Sequence, residues 1–130
     1  MEDDPIWIDP VALLAVHAQM LARYGGAEGV RDQSLLDSAL ARARHQFAYG
    51  ESDLRVLAAA YAYGIVNNHP FIDGNKRTGF MAAYVFLSRN GMTLNAPEAE
   101  AAVMTLALAD KSVSEAGYAQ WLRDNSTSRS

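Results

Sequence analysis

The chain of 130 residues contains no cysteine, which excludes disulfide bonds and catalysis through a thiolate. Its longest apolar stretches, residues 56–66 and 101–109, are shorter than the roughly 20 residues of a membrane-spanning helix. Positive charge is scarce as well, since 11 Lys and Arg residues stand against 15 Asp and Glu residues, for a formal net charge of −4. These absences argue against a membrane protein and against direct binding of nucleic acid.

Hydrophobic residues make up 50% of the sequence and charged residues 20%, which is typical of a folded domain. No repeat or low-complexity segment interrupts the chain, and its length fits a single domain with one core. The acidic start, residues 1–5, is unlike a signal peptide. Together with the lack of cysteine, it leads us to expect a cytoplasmic protein.

Apolar residues recur at helical spacing along most of the chain, which predicts an all-α fold. Asp9-Pro10 should start the first helix, and Gly25-Gly26 should end it. His17, inside that helix, is expected at the surface or in a capping role. We expect this helix to bury a stripe made of Val11, Leu14, Ala18, Leu21 and Ala22. The polar end of the chain, residues 123–130, is predicted to be a frayed tail.

The most informative stretch is residues 69–77, HPFIDGNKR, which stands just before the apolar run Phe80–Leu87. Pro70 disfavours helical geometry in the residue before it, and Gly74 permits a tight turn with positive φ. The apolar run predicts a helix from residue 76 to residue 90, buried on nearly all sides as the central helix. The first amides of that helix would be unpaired donors at its positive end, which is a binding site for an anion such as phosphate.

The charged residues of this stretch suit phosphoryl or nucleotidyl transfer. Histidine is the natural general base for a hydroxyl nucleophile, which predicts that role for His69. Asp73 offers hard oxygen ligands for a Mg²⁺ ion that substrate phosphates also bind, and Lys76 and Arg77 can neutralise phosphate oxygens. Taken singly, each residue is more often structural, as a turn histidine, a helix cap or a solvated pair. Taken together, they favour the functional interpretation.

The pattern HPFIDGNKR closely resembles the signature of the Fic/Doc superfamily. The flanks are similar to Doc-type proteins too, at residues 31–40, at residues 61–68 and up to Asn90-Gly91, so the resemblance covers residues 6–122. It implies an all-α, single-domain bundle around a buried central helix, occupying residues 1–130. It also implies an enzyme that uses ATP as co-substrate and Mg²⁺ as cofactor.

The resemblance carries roles over to individual residues of the signature. The implied catalytic residues are His69 as base, Asp73 as the Mg²⁺ ligand, Lys76 and Arg77. The implied nucleotide-binding residues are Phe71, Gly74, Asn75, Lys76 and Arg77.

Two positions separate the branches of this superfamily. Fic enzymes that transfer AMP carry a second Gly where this chain has Lys76, and a second Arg where it has Phe80. Both residues match the Doc branch, which implies transfer of the γ-phosphate of ATP to a Ser or Thr hydroxyl of a target protein. Gly74 is more typical of Fic enzymes, since some Doc proteins carry Ala there, so transfer of AMP is the alternative.

The Doc branch implies a toxin of a toxin–antitoxin system that blocks translation, with elongation factor Tu as the expected target. Many Fic proteins inhibit themselves through a helix reading Ser/Thr-x-x-x-Glu-Gly/Asn, and this sequence contains no such pattern. Inhibition is therefore expected from a Phd-like antitoxin, whose flexible segment folds into a groove beside the active site.

Residues 45–52, HQFAYGES, break the helical pattern and are predicted to form a loop. In Fic-like folds a flap in this part of the chain docks the target in extended form, which makes Phe47 and Tyr49 candidates for target contact. An ordinary surface loop is an equally good interpretation.

Overall fold

The computed structural model describes residues 4–129, and within them six helices and two short strands form. Their bounds are α1 Pro10–Tyr24, α2 Gln33–Ala48, α3 Leu54–Asn68, α4 Asn75–Arg89, β1 Met92–Leu94, α5 Glu98–Ala109, α6 Glu115–Asp124 and β2 Ser126–Ser128. The predicted all-α bundle is thus confirmed. Within the described range, no helix combines the length and the apolar character needed to span a membrane.

The central helix of the bundle is α3, and the prediction that residues 76–90 would take that place is wrong. Helix α3 packs against α2, α4, α5 and α6, and it is buried from Leu57 to Val66 except at Tyr63. Helix α4 packs against α3, α1, α5 and β1, but its outer side is open to solvent, where Tyr84 is 38% exposed. Helix α3 takes the central place because its many alanines have small side chains, which let neighbouring helices approach it from several sides.

Helix α1 begins and ends as predicted, since the Asp9 side chain accepts from the Val11 amide and Gly25 follows its last turn with φ 83°. Its buried face, however, is formed by Leu13 and His17. Most of the stripe that was predicted to be buried is exposed, at Val11, Leu14, Ala18 and Ala22, while Leu21 is partly buried. The prediction for His17 is wrong too, because this side chain is only 6% exposed.

The predicted loop at residues 45–52 is helical over its first half, because α2 continues to Ala48. Phe47 explains the continuation, since its ring packs edge-on against Trp7 at 5.6 Å between centroids and is held at the core. Tyr49 follows the helix and is 93% exposed. Residues 1–3, at the start of the acidic segment, lie outside the described part of the chain.

The predicted frayed tail is ordered through residue 129. Helix α6 extends to Asp124, and β2 then pairs antiparallel with β1, with Ser126 opposite Leu94. The Arg129 amide continues the pairing by donating to the Gly91 carbonyl oxygen at 2.7 Å, and its Nη1 donates to the Met92 carbonyl oxygen at 2.8 Å. Met92 and Leu94 are both buried, so the polar tail covers an apolar strand.

Gly64 lies where α3 crosses α2, and replacing it tests this packing. A Cβ atom at residue 64 would stand 3.0 Å from both the Cα atom and the carbonyl oxygen of Ala39, which are backbone atoms. We expect Gly64→Ala to lower the free energy of unfolding by about 1–3 kcal/mol, because α2 must move outward. Urea denaturation followed by circular dichroism measures the effect.

Gly117→Ala serves as the matched control. A methyl group there would meet only side-chain atoms of Val113 and Ser114, at 3.2 and 3.3 Å, and these can adjust. The loss in free energy of unfolding should be smaller for Gly117→Ala, because only side-chain atoms have to move. The gain of about 1 kcal/mol from replacing Gly by Ala in a helix applies to both variants. A Gly64→Ala protein as stable as the wild type would contradict the close crossing of α2 and α3.

Candidate active site

The stretch HPFIDGNKR forms the loop between α3 and α4 and includes the first residues of α4. His69 ends α3 in a left-handed conformation, with φ 55° and ψ 53°, and its amide donates to the Ile65 carbonyl oxygen. Arg31 supports this turn, because its Nε and Nη2 donate to the carbonyl oxygens of His69 and Asn68, at 2.8 and 3.0 Å. The guanidinium thereby satisfies carbonyl groups that the end of a helix leaves unpaired.

The segment before α2, residues 26–31, runs beside the loop and holds it through the backbone. Val30 forms an isolated antiparallel bridge with Phe71, and the Ile72 amide donates to the Gly29 carbonyl oxygen at 3.1 Å. The Arg31 amide donates to the Pro70 carbonyl oxygen at 2.6 Å. An extended segment thus does border the loop, but it lies at residues 26–31 and not at residues 45–52.

Phe71, predicted as a nucleotide contact, anchors the loop in the core. Its side chain is fully buried, and its ring stacks on the His17 ring with centroids 3.7 Å apart and planes 11° apart. His17 Nε2 also lies 2.9 Å from the Asp73 carbonyl oxygen. Sequence reasoning missed His17, although its spacing of four residues from Leu13 and three from Met20 is a helical pattern too.

Asn75 closes the loop with its side chain. Its Oδ1 accepts from the Phe71 amide at 3.0 Å, and its Nδ2 donates to the Phe71 carbonyl oxygen at 2.9 Å. These two bonds set the orientation of the amide, and its Nδ2 lies 3.1 Å from His69 Nδ1. The Asn75 side chain is 3% exposed, so only its backbone amide is left to face an anion at the start of α4.

Asp73 points out of the loop and does not cap α4. The N-cap residue is Gly74, with φ 81°, and it makes no side-chain capping bond. Asp73 Oδ2 instead accepts from the Ala27 amide at 2.7 Å. Its Oδ1 has no hydrogen-bond partner among residues 4–129 and is available to a ligand.

The first turn of α4 forms the positive end of the site. It contains no acidic residue, and both Lys76 and Arg77 are exposed on it. The guanidinium of Arg77 lies over the Tyr24 ring at 4.1 Å, and the Tyr24 hydroxyl donates to Glu98 Oε1 at 3.4 Å. Backbone amides, the helix dipole and two cations therefore all favour an anion at this position.

The predicted site residues line one cavity of about 180 Å³, with Phe71 as the exception. Its lining is His69, Ile72, Asp73, Gly74, Asn75, Lys76 and Arg77. A wider groove of about 1100 Å³ lies between α2 and α6 and includes Tyr49 and Glu115. Neither Phe47 nor Tyr49, the predicted target contacts, lines the cavity at the loop.

The donor set at the loop suits a metal that substrate helps to bind. Among residues 4–129, no three His, Asp or Glu side chains come together as a metal site. Mg²⁺ is commonly bound through one or two carboxylates together with water and substrate phosphates. Asp73, with one oxygen available beside the positive end of α4, fits such an ion.

Comparison with known proteins agrees with this geometry. Residues 7–87 match the Fic/DOC family. The chain is 35% identical over 118 residues to "Protein kinase doc" of Escherichia phage P1, across 89% of this chain and 92% of that protein. It is 43% identical over 76 residues to "Toxin Doc" of Mycolicibacterium smegmatis, across 56% of this chain and 58% of that protein. The chain therefore belongs to the Fic/DOC family, as a toxin of the Doc type.

Proposed function

We propose that this toxin is a protein kinase that transfers the γ-phosphate of ATP to a Ser or Thr hydroxyl of a target protein. The observation that carries the proposal is the single cavity in which the His69 ring and the Asp73 carboxylate meet the positive end of α4. A relative that covers most of the chain bears the name of a protein kinase, which supports the same activity.

Each charged or titratable residue of the cavity has its own role in the transfer. His69 takes the proton of the target hydroxyl as its oxygen bonds to the γ-phosphorus. The bond from the γ-phosphorus to the β–γ bridging oxygen breaks, and ADP leaves with that electron pair. Arg77, Lys76 and the first amides of α4 neutralise the phosphate oxygens during this step. Mg²⁺ bound by Asp73 and the phosphates would supply further charge neutralisation.

Phosphate transfer is favoured over AMP transfer by the residues around the helix start. Phe80 stands where AMP-transferring relatives are expected to carry a second arginine, and its ring packs near Tyr84 and Trp121, at 6.4 Å from each. No cation is thus available at that position for a distal phosphate. Gly74 remains the feature that favours AMP transfer, and the experiment below separates the two reactions.

The target of this kinase is a component of the translation machinery, with elongation factor Tu as the leading candidate, so that modification blocks translation in the cytoplasm. The segment 26–31 supports docking of an extended target chain, because it already runs antiparallel to the loop at Phe71. Val30 and Ile72 on this surface are 37% and 48% exposed, and they offer apolar contacts next to His69.

A Phd-like antitoxin inhibits the toxin in trans. The exposed stripe of α1, at Val11, Leu14 and Ala18, supports such a partner, since a row of exposed apolar side chains marks a protein interface. Leu14 and Ala18 neighbour His17 and Leu21 on the helix surface. The latter two face Gly74, which puts the stripe beside the active site.

Incubation with a bacterial lysate, Mg²⁺ and ATP labelled at either the α- or the γ-phosphate tests the activity. We expect label on one protein from γ-labelled ATP only, and none with His69→Asn. Asn tolerates the left-handed conformation of residue 69 but cannot act as a base at neutral pH. Loss of a general base should slow transfer by about 10²–10⁴-fold.

His45→Asn is the matched control, since His45 is an exposed histidine on α2 outside the loop cavity. It should retain full activity. Transfer of the α-label would establish AMP transfer in place of phosphorylation. Wild-type turnover in the His69→Asn variant would rule out His69 as the base.

Asp73→Asn tests the metal site with little change in structure. The Asn side chain can still accept from the Ala27 amide, so the loop should keep its shape. It has no negative charge for Mg²⁺, and we expect the Mg²⁺ concentration for half-maximal transfer to rise at least about tenfold. A Mg²⁺ titration at saturating ATP measures this, and an unchanged midpoint would exclude Asp73 as the ligand.

The stripe of α1 is tested by Val11→Glu combined with Leu14→Glu. Burial of a Val or Leu side chain contributes about 1.5–3 kcal/mol, so the antitoxin should bind at least about tenfold more weakly. Kinase activity without antitoxin should stay at the wild-type level, because both side chains are exposed and outside the loop cavity. Full neutralisation of the double variant by the antitoxin would show that the interface lies elsewhere on the toxin.

A further inference from the structure

His17 is a buried polar side chain beside the candidate active site that the proposed transfer does not use. It comes from α1, more than fifty residues before the loop, and it is 6% exposed. Its Nε2 atom lies 2.9 Å from the Asp73 carbonyl oxygen, and its ring stacks on Phe71. Since a carbonyl oxygen only accepts, Nε2 carries the proton in this bond.

This bond holds the peptide group between Asp73 and Gly74. The carbonyl oxygen of Asp73 and the amide of Gly74 belong to that same planar group, so fixing one end fixes the other. The Asp73 carboxylate is held separately by the Ala27 amide, at 2.7 Å. The loop residue that carries the metal ligand is therefore restrained at its side chain and at its backbone.

Stacking on Phe71 fixes the direction in which the His17 ring presents its N–H to the Asp73 carbonyl oxygen. His17 stacks almost parallel to Phe71, which the Asn75 side chain holds through both its backbone groups. A ring held in this plane presents its N–H along one line. Gly74 adjoins this ring, since a Cβ atom there would be in ordinary van der Waals contact with His17 Nε2 at 3.6 Å.

We infer that His17 is a positioning residue for the nucleotide and Mg²⁺ site, acting through the peptide group between Asp73 and Gly74. The inference rests on the proposed function, since it concerns the same site. His17 contacts neither the nucleotide nor the reacting hydroxyl in this assignment. The competing explanation is that His17 only fills the core beneath Phe71 and contributes to stability alone.

Two substitutions separate these explanations, because each keeps one of the two interactions. His17→Gln keeps an N–H donor at the position of Nε2 and loses the stacked ring. His17→Phe keeps a flat ring over Phe71 and loses the donor. His45→Phe, on the exposed surface of α2, is the matched control and should resemble the wild type in every measurement.

Calorimetric titration with a non-hydrolysable ATP analogue and Mg²⁺ gives the affinity, and urea denaturation gives the stability of each variant. If His17 positions the site, His17→Phe binds the nucleotide about ten- to a hundredfold more weakly although it is folded. His17→Gln stays within about threefold of the wild type, even where loss of stacking lowers its urea midpoint. Nucleotide affinity and stability then rank the two variants in opposite orders.

Wild-type affinity in His17→Phe would overturn the inference, as would a loss of affinity in both variants that follows their loss of stability. Failure of the proposed function gives a different result, since the wild-type protein itself would then bind no nucleotide. Neither outcome depends on whether phosphate or AMP is transferred.

Discussion

The pair of hydrogen bonds between the Asn75 side chain and the Phe71 backbone is the constraint on which the site depends. The Phe71 amide donates to Asn75 Oδ1 at 3.0 Å, and Asn75 Nδ2 donates to the Phe71 carbonyl oxygen at 2.9 Å, which closes five residues into a ring. Both bonds use polar groups that burial would otherwise leave unpaired. The closed ring directs Phe71 into the core and turns Asp73 outward. It also aims the remaining N–H of Asn75 at His69. One buried amide thus relates His69, Asp73 and the start of α4 to one another.

The beginning of α4 favours an anion at some expense of stability. Each exposed cation in the first turn of a helix is unfavourable by about 0.3–1 kcal/mol, and α4 carries both Lys76 and Arg77 there without an acidic partner. Gly74 caps the helix without a side-chain bond, which leaves the first amides free. A bound phosphate satisfies the amides and relieves the repulsion. Nucleotide binding should therefore stabilise the fold as well as begin the reaction.

The helix starts could be predicted because their signals are local. Asp9, Asp32, Asp53 and Ser114 each cap the helix that follows them within three residues. The rotation of α1 could not be predicted in this way, because Val11 with Leu14 fits helical spacing as well as Leu13 with His17. The rotation of α1 that the structure has is the one in which His17 stacks on the buried Phe71 ring. The ordered tail was missed for a similar reason, since β2 depends on the distant strand β1.

The difference between local and distant signals also separates the residues that line the cavity from the groups that restrain the loop. The residues around the cavity come from one stretch of nine, and their chemistry is visible in the order of the letters. The groups that restrain this stretch are the His17 ring, the Ala27 amide and the Arg31 guanidinium, which belong to α1 and to the segment after it. Each of the three binds a backbone group or Asp73, and none requires a particular neighbour in sequence. A loop that holds His69 in a left-handed turn needs such restraints, because the turn itself is unfavourable for a residue with a Cβ atom. The geometry of the candidate site is therefore a property of α1 and α4 together, although the residues that line its cavity belong only to the start of α4 and the loop before it.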